Sequence, residues 1–325
     1  MEVFSVIGMG SIAKRHVKNL RLLHPDARIL AVSSSRTNTI CPDGADAVVD
    51  IASVLRQSPR YAVVASPAPF HTGIASTLLG AGIPVLIEKP LSADYESARA
   101  FADSYSNQTA PLVRVGYCLR FLSTAGMVRV LLEENRIGKI QNVASFVGQY
   151  LPHWRPGMDY RESVSARKEM GGGALLELSH ELDLLNWFFN DLSLAHSWLR
   201  TGMGLGLEVE ECADLALIRP DGCYLSVHLD FLQKDVCRHM EFFGSEGRMM
   251  WDLVANTIDI TKPGVEPEQI SGTETDRDEM YLSMLTEFEG ALEGRPDGLA
   301  TLDAALSTMA LIDYAKQENA WNPQT

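Results

Sequence analysis

The chain has 325 residues, 46% of them hydrophobic and 22% charged, with a formal net charge of -14 at pH 7. That length accommodates two domains with a sizeable core. The negative field repels phosphates and speaks against general binding to nucleic acid or anionic membrane. Five scattered cysteines (41, 118, 212, 223, 237) contain no Cys-x-x-Cys pair. They are read as reduced thiols of a cytoplasmic protein, with neither a disulfide framework nor a metal site. The N-terminal stretch Met1-Glu2-Val3-Phe4-Ser5-Val6-Ile7-Gly8 enters a strand at once and lacks the basic start of a secretory signal. No apolar run approaches the ~20 residues that a membrane helix needs.

In chain order, residues 3–7 form a short apolar run, and 12–23 have helical spacing with Ile12, Val17, Leu20 and Leu23 on one side. Strands are expected at 29–32, 47–49 and 61–65. The last is apolar throughout, as a parallel strand covered on both faces should be. A helix over 74–79 ends at Gly80-Ala81-Gly82 and leads to a strand at 85–87. Ser92 reads as the N-cap of the next helix, and 112–117 closes the series. This alternation predicts a doubly wound parallel sheet over residues 1–118.

The pattern changes in residues 119–325. A helix over 127–132 and a strand over 140–150 precede a polar, aromatic and basic loop from 151 to 170. Gly171-Gly172-Gly173 introduces one strongly apolar helix over 174–189. Strands follow at 196–201, 212–218, 223–231, 239–243, 248–252 and 257–260, separated by turns such as Pro220-Asp221-Gly222. Helices at 277–292 and 302–317 end the chain. The expectation is an α/β protein: a Rossmann-type domain, then an α+β domain with a large, mostly antiparallel open sheet.

Gly8-x-Gly10-x-x-Ala13 lies where the first strand gives way to a helix. Gly8 permits the tight turn, Gly10 admits a pyrophosphate to the backbone, and Ala13 lets helix and strand pack closely. The free N–H groups at Ser11 and Ile12 then face phosphate. After the second strand the segment Ser33-Ser34-Ser35-Arg36 carries no acid before Asp43. Hydroxyls at Ser33 and Ser35 with the Arg36 guanidinium suit a 2′-phosphate, which favours NADP(H) over NAD(H). Ser66 and Pro67 end the fourth strand, with His71 just beyond, where ligands of open α/β sheets bind.

Lys89 follows the run Val85-Leu86-Ile87-Glu88 and precedes Pro90. With the glycine loop, with Ser66-Pro67-Ala68-Pro69-Phe70-His71, with Gly116-Tyr117-Cys118-Leu119-Arg120-Phe121 and with the triple-glycine helix, this Glu-Lys-Pro resembles the Gfo/Idh/MocA oxidoreductase family over nearly the whole length. The resemblance implies hydride exchange at a carbinol carbon of a sugar, cyclitol or sugar derivative. It also implies oligomer contacts through the open C-terminal sheet. The family lysine falls on Lys89, and its helix histidine falls on His180. Three departures stand out. Ala68 and Cys118 stand where the family often has Asn, and Glu177 lies three residues from His180 where the family usually has an Asp four away. The segment 176–183, taken with Tyr150-Leu151-Pro152-x-Trp154-Arg155-Pro156, looks like members associated with bacterial surface-glycan and nonulosonic-acid pathways.

His180 suits the proton-transfer role and Lys89 the stabilisation of an alkoxide. On one continuous helix Glu177, His180 and Glu181 share a face, so either carboxylate serves as the histidine's partner, with Glu177 placed first. Glu88 and Lys89 also flank the cofactor. Tyr117, Arg120, Trp154, Arg155, Tyr160 and Arg167 are the substrate candidates. Their rings and guanidinium groups suit a sugar carrying an anionic or nucleotide-linked group. Two other readings stay open: a cofactor-retaining epimerase or eliminase, and a non-catalytic nucleotide-sensing regulator.

Overall fold

The computed structural model describes residues 1–33, 40–105, 111–274, 276–318 and 320–321. The chain divides into two compact units, Met1–Phe121 with Thr275–Leu306, and Leu122–Glu274 with Ser307–Thr325. A single cut at residue 118 therefore misses one feature: a C-terminal segment returns to the first unit.

The first unit is built on β1 (Val3–Ile7), α1 (Ser11–Leu23), β2 (Arg28–Val32), β3 (Ala47–Val49), α2 (Ile51–Gln57), β4 (Tyr61–Val64), α3 (His71–Gly80), β5 (Val85–Glu88), α4 (Tyr95–Tyr105) and β6 (Val113–Gly116). The six strands are parallel, in the order β3-β2-β1-β4-β5-β6. The order reverses between β1 and β4, and this makes the crevice at their carboxyl ends the natural ligand position. Tyr61, Ala62, Val63 and Val64 are buried without exception, as expected for a strand with helices on both faces. The returning segment supplies α8 (Asp278–Leu292). Its apolar stripe of Met280, Tyr281, Met284, Leu285 and Phe288 is buried, and Phe288 meets the Tyr61 ring edge-on at 5.2 Å. Beyond it, Ala300 bridges Val115, and Asp297 accepts from Arg114 at 3.1 and 3.0 Å.

The second unit contains α5 (Ser123–Glu133), β7 (Ile140–Gly148), α6 (Ala174–Glu177), α7 (His180–Phe189), β8 (Ser193–Arg200), β9 (Cys212–Ile218), β10 (Tyr224–Asp230), β11 (Cys237–Gly244), β12 (Arg248–Asp252), β13 (Thr257–Thr261) and β14 (Glu268–Ser271). The division between the units falls within α9 (Leu302–Glu318), which leads to β15 (Ala320–Trp321). The nine-stranded sheet runs β14-β13-β12-β11-β7-β10-β9-β8-β15. It is antiparallel except at β7–β10 and β8–β15. Along β7, Val143, Ser145 and Val147 are buried while Ala144 and Phe146 are half-exposed, the alternation of a sheet covered on one face.

One expectation fails in a way that matters. The helix expected over 174–189 is interrupted. Leu178 leaves helical geometry (φ -102°, ψ 24°), and a new ladder starts when Asp183 N–H donates to the Ser179 carbonyl. A count of 100° per residue does not carry across the break, so the shared face argued for Glu177, His180 and Glu181 does not follow.

Candidate active site

The nucleotide loop has the form the sequence requires. Gly8 sits at φ +137°, and a Cβ there would lie 2.3 Å from the Ala65 carbonyl oxygen. Only glycine fits, because both the backbone angle and the close approach forbid a side chain. At Gly10 the opposite holds: a Cβ would project into open space. Gly10 caps α1, no side chain caps that helix, and no acid occupies its first turn. Its leading N–H groups and the positive end of the helix dipole are therefore available to an anion in front of Gly10, which fits a pyrophosphate. Ser11 and Ile12 open this helix as expected. Ser33 is half-buried beyond β2, whereas Ser35 and Arg36 lie outside the described residues.

Ser66 and Pro67 follow β4, and Lys89 follows β5, all at the carboxyl edge of the parallel sheet. Lys89 is half-buried. Its neighbour Glu88 is buried and pairs with His16 of α1 at 2.5 Å. His16 was not among the expected site residues. It lies on the buried stripe Ala13, His16, Val17, Leu20, and an imidazole on such a stripe has to find a polar partner.

His71, expected beside the cofactor, is turned into the protein. The ring is 1% exposed, with Nδ1 2.8 Å from the Pro90 carbonyl oxygen and Nε2 2.6 Å from the Ser66 carbonyl oxygen. Both nitrogens thus face main-chain carbonyls of the protein itself.

Tyr117 and Arg120 are also buried, at 1% and 7% exposure, and Arg120 donates to the Gly298 carbonyl at 3.4 Å.

In the second unit His180 opens α7 and is 8% exposed. Glu181, beside it, is 1% exposed and accepts from Arg238 of β11 at 2.6 and 2.9 Å. This bidentate pair commits Glu181 to a guanidinium and removes it as a free partner for the histidine. Glu177 is half-buried at the end of α6. Under the triple glycine lies Glu210, whose carboxylate accepts from the Leu175 N–H at 3.1 Å; a Cβ on Gly173 would meet it at 2.3 Å. Burial pushes the Glu210 carboxyl above its ordinary range, against the pull of Lys316 and of the backbone.

The loop 151–170 folds as successive 3-10 turns. Trp154 donates to the Gln149 carbonyl at 3.2 Å and packs edge-on against Phe231, and the Tyr160 hydroxyl donates to the Leu205 carbonyl at 3.0 Å. These two rings support the loop. Arg155 is half-buried and Arg167 exposed.

A second polar cluster lies on the sheet. Among the described residues Cys212, Asp214 and His228 are close enough to share a cation. Arg200 already presents its guanidinium to Asp214 and to the Cys212 sulfur. His228 lies between Asp214 (2.6 Å) and Asp230 (2.9 Å). Burial alone would lower the imidazole, but the two carboxylates raise it to about 9, and the Cys212 thiol is pushed up to about 12 by burial. The cluster is an ion network with its positive charge supplied by protein. The five cysteines are all free thiols, and no helix of the described residues is long and apolar enough to cross a membrane.

Comparison with known proteins agrees with this geometry. Residues 3–117 match the model of an oxidoreductase family with an NAD-binding Rossmann fold, and residues 127–250 match the GFO/IDH/MocA C-terminal domain. An inositol 2-dehydrogenase of Corynebacterium glutamicum is 25% identical over 225 residues, a match that spans 63% of each chain. A levoglucosan dehydrogenase solved with NADH superposes with a TM-score of 0.85 at 16% identity, covering 98% of this chain and 97% of the other. The WlbA dehydrogenase of Bordetella pertussis, solved with NADH and UDP-GlcNAcA, gives 0.78 at 19% identity, with 98% and 96% covered. The two family models together cover most of the chain, which belongs to the Gfo/Idh/MocA oxidoreductase family.

Proposed function

We propose that this chain exchanges hydride between NADP(H), in preference to NAD(H), and a secondary alcohol or ketone of a sugar-like substrate that is acidic or nucleotide-linked. One observation carries the reading. Lys89 stands at the carboxyl end of β5, two strands from the glycine loop of β1 in a parallel sheet. At the ordinary strand spacing that separation is about 10 Å, the scale on which a dinucleotide held at Gly10 reaches along the edge of the sheet.

A bound nicotinamide supplies the hydride donor or acceptor. The protein's residues do the rest. Lys89 polarises the reacting oxygen and stabilises its negative charge. His180 takes or returns the hydroxyl proton, and Glu177, half-buried at the end of α6, is the carboxylate assigned to assist it. The preference for NADP(H) rests on the sequence beyond β2, which offers hydroxyls and Arg36 and no acid before Asp43. The anionic character of the substrate rests on Arg155 and Arg167 in a chain of net charge -14. A UDP-linked ligand in one structural relative points the same way. Assembly of copies through the open face of the second sheet belongs to the same reading.

The test is single-turnover reduction of bound cofactor by candidate sugars, in wild type and in Lys89→Met. The expected loss on substitution is roughly 100-fold or more, the cost of removing one electrostatic stabiliser. Equal rates would leave a nucleotide binder without this chemistry. Turnover of substrate with no net change in cofactor would instead identify an epimerase or eliminase.

A further inference from the structure

Two loops stand at the carboxyl edge of the first sheet: Ser66-Pro67 after β4, and Lys89-Pro90 after β5. The His71 side chain lies between their backbones. Pro67 is extended (φ -61°, ψ 146°), and the 3-10 turn Ala68–Phe70 then brings the chain round until His71 opens α3 facing back toward Ser66. The ring places Nε2 2.6 Å from the Ser66 carbonyl oxygen and Nδ1 2.8 Å from the Pro90 carbonyl oxygen.

We propose that His71 is a positioning residue for the reaction: its imidazole ties the lysine loop to the cofactor-facing loop and so sets where the Lys89 ammonium stands. The proposal rests on the reading of Lys89 given above, and it assigns His71 no contact with cofactor or substrate.

The chemistry of the two acceptors supports a tie rather than a catalytic acid or base. Main-chain carbonyls accept and never donate, so each nitrogen bonds only when it carries a proton. A neutral ring donates to one of the two carbonyls and packs against the other, so it spans the two loops through one hydrogen bond and one close contact. Burial pushes the imidazole below the ordinary histidine range, with Lys89 in the same sense, against the raising pull of the two carbonyls and of Glu88. Glu88 is itself engaged with His16, so the charged groups facing the ring are Lys89 and a carboxylate already paired. With its solvent exposure at 1%, the ring exchanges no proton with a substrate. Its effect passes through the Pro90 backbone to the residue before it.

Reactions of this kind are sensitive to placement. A displacement of about 1 Å costs roughly 100-fold in rate even when binding is intact. Replacing the imidazole should therefore lower kcat while leaving the cofactor Kd nearly unchanged. A residue that merely filled the core would lower the melting temperature and leave the rate per cofactor-competent molecule alone.

The experiment is a double-mutant cycle between His71→Phe and Lys89→Met, read as single-turnover rate per bound NADPH, with cofactor Kd from nucleotide fluorescence. His71→Phe is expected to slow wild type roughly 10- to 100-fold, to change Kd less than about threefold, and to slow Lys89→Met no further, because the tie acts through the lysine. Additive losses, or an unchanged rate in folded His71→Phe, overturn the proposal. His71→Asn keeps one amide donor in less volume and should lie between wild type and His71→Phe. If neither variant folds, His71 is a structural residue and the proposal fails. Should Lys89→Met alone leave the rate untouched, it is the reading of Lys89 that fails, and that outcome is visible separately from the His71 comparison.

Discussion

Replacing Arg238 by Met should strand a charge in the second unit. Glu181 is 1% exposed and its two oxygens meet Nε and Nη2 of Arg238 at 2.6 and 2.9 Å. The pair itself need not stabilise the fold, because two ions taken from water repay much of their attraction in desolvation. Breaking it is different. With the guanidinium gone, a buried carboxylate is left without its counter-charge, at a cost of about 3–5 kcal/mol. In a unit of about 150–250 residues that shifts Tm by about 10 °C. The assay is convenient, since all five tryptophans (154, 187, 198, 251, 321) belong to the second unit. Indole fluorescence in urea therefore follows that unit. Adding Glu181→Gln to Arg238→Met removes the stranded charge and should recover about half the loss or more. Two results would refute the reasoning: a cost below about 1 kcal/mol for Arg238→Met, or no recovery in the double variant.

Two neighbouring glycines should fail differently. Gly8→Ala drives a Cβ against the Ala65 carbonyl at a positive φ and should cost about 2 kcal/mol or more of stability together with cofactor binding. Gly10→Ala meets open space, so its Tm should stay within about 2 °C of wild type while cofactor affinity falls; calorimetry and nucleotide fluorescence separate the two, and equal affinity in Gly10→Ala would mean that no phosphate approaches there. The His228 network predicts a pH dependence. An imidazole raised from 6.5 to about 9 contributes stability that is complete below pH 6.5 and disappears as pH climbs through 9. The expected loss is on the order of 2 kcal/mol after allowing for the part-exposed Asp214. Urea midpoints at pH 6.5 and 9.5 should differ in wild type and converge in His228→Gln, and a wild type flat over that range would contradict the assignment.

Much of the first unit was readable in advance because its signals are local. A wholly apolar β4 between breakers means a covered parallel strand, and Gly8 with Gly10 directly after β1 means a phosphate loop. The return of α8 was not readable. Its stripe from Met280 to Phe288 announces a buried face, but periodicity does not say which surface buries it. The same limit explains the histidine's partner. Residues three and four apart are neighbours only while the helix continues, and here it stops at Leu178.

Charge roles were the least legible feature, for a physical reason. A carboxylate with no access to water takes whichever cation the fold brings to it, and that choice is made across the sheet and between distant elements. Glu88 is claimed by His16, 72 residues away, and Glu181 by Arg238, 57 residues away. Each claim commits oxygens of that carboxylate to a partner within the fold. Glu88 becomes support beneath the lysine loop, and Glu181 becomes support beneath α7. Glu177, the other acid first set beside His180, is half-buried at the end of α6. Burial, which sequence patterns do convey, tells which charges must be paired. What separates a supporting charge from a reacting one is whether the pairing uses up its hydrogen-bonding atoms, and only the three-dimensional neighbours answer that.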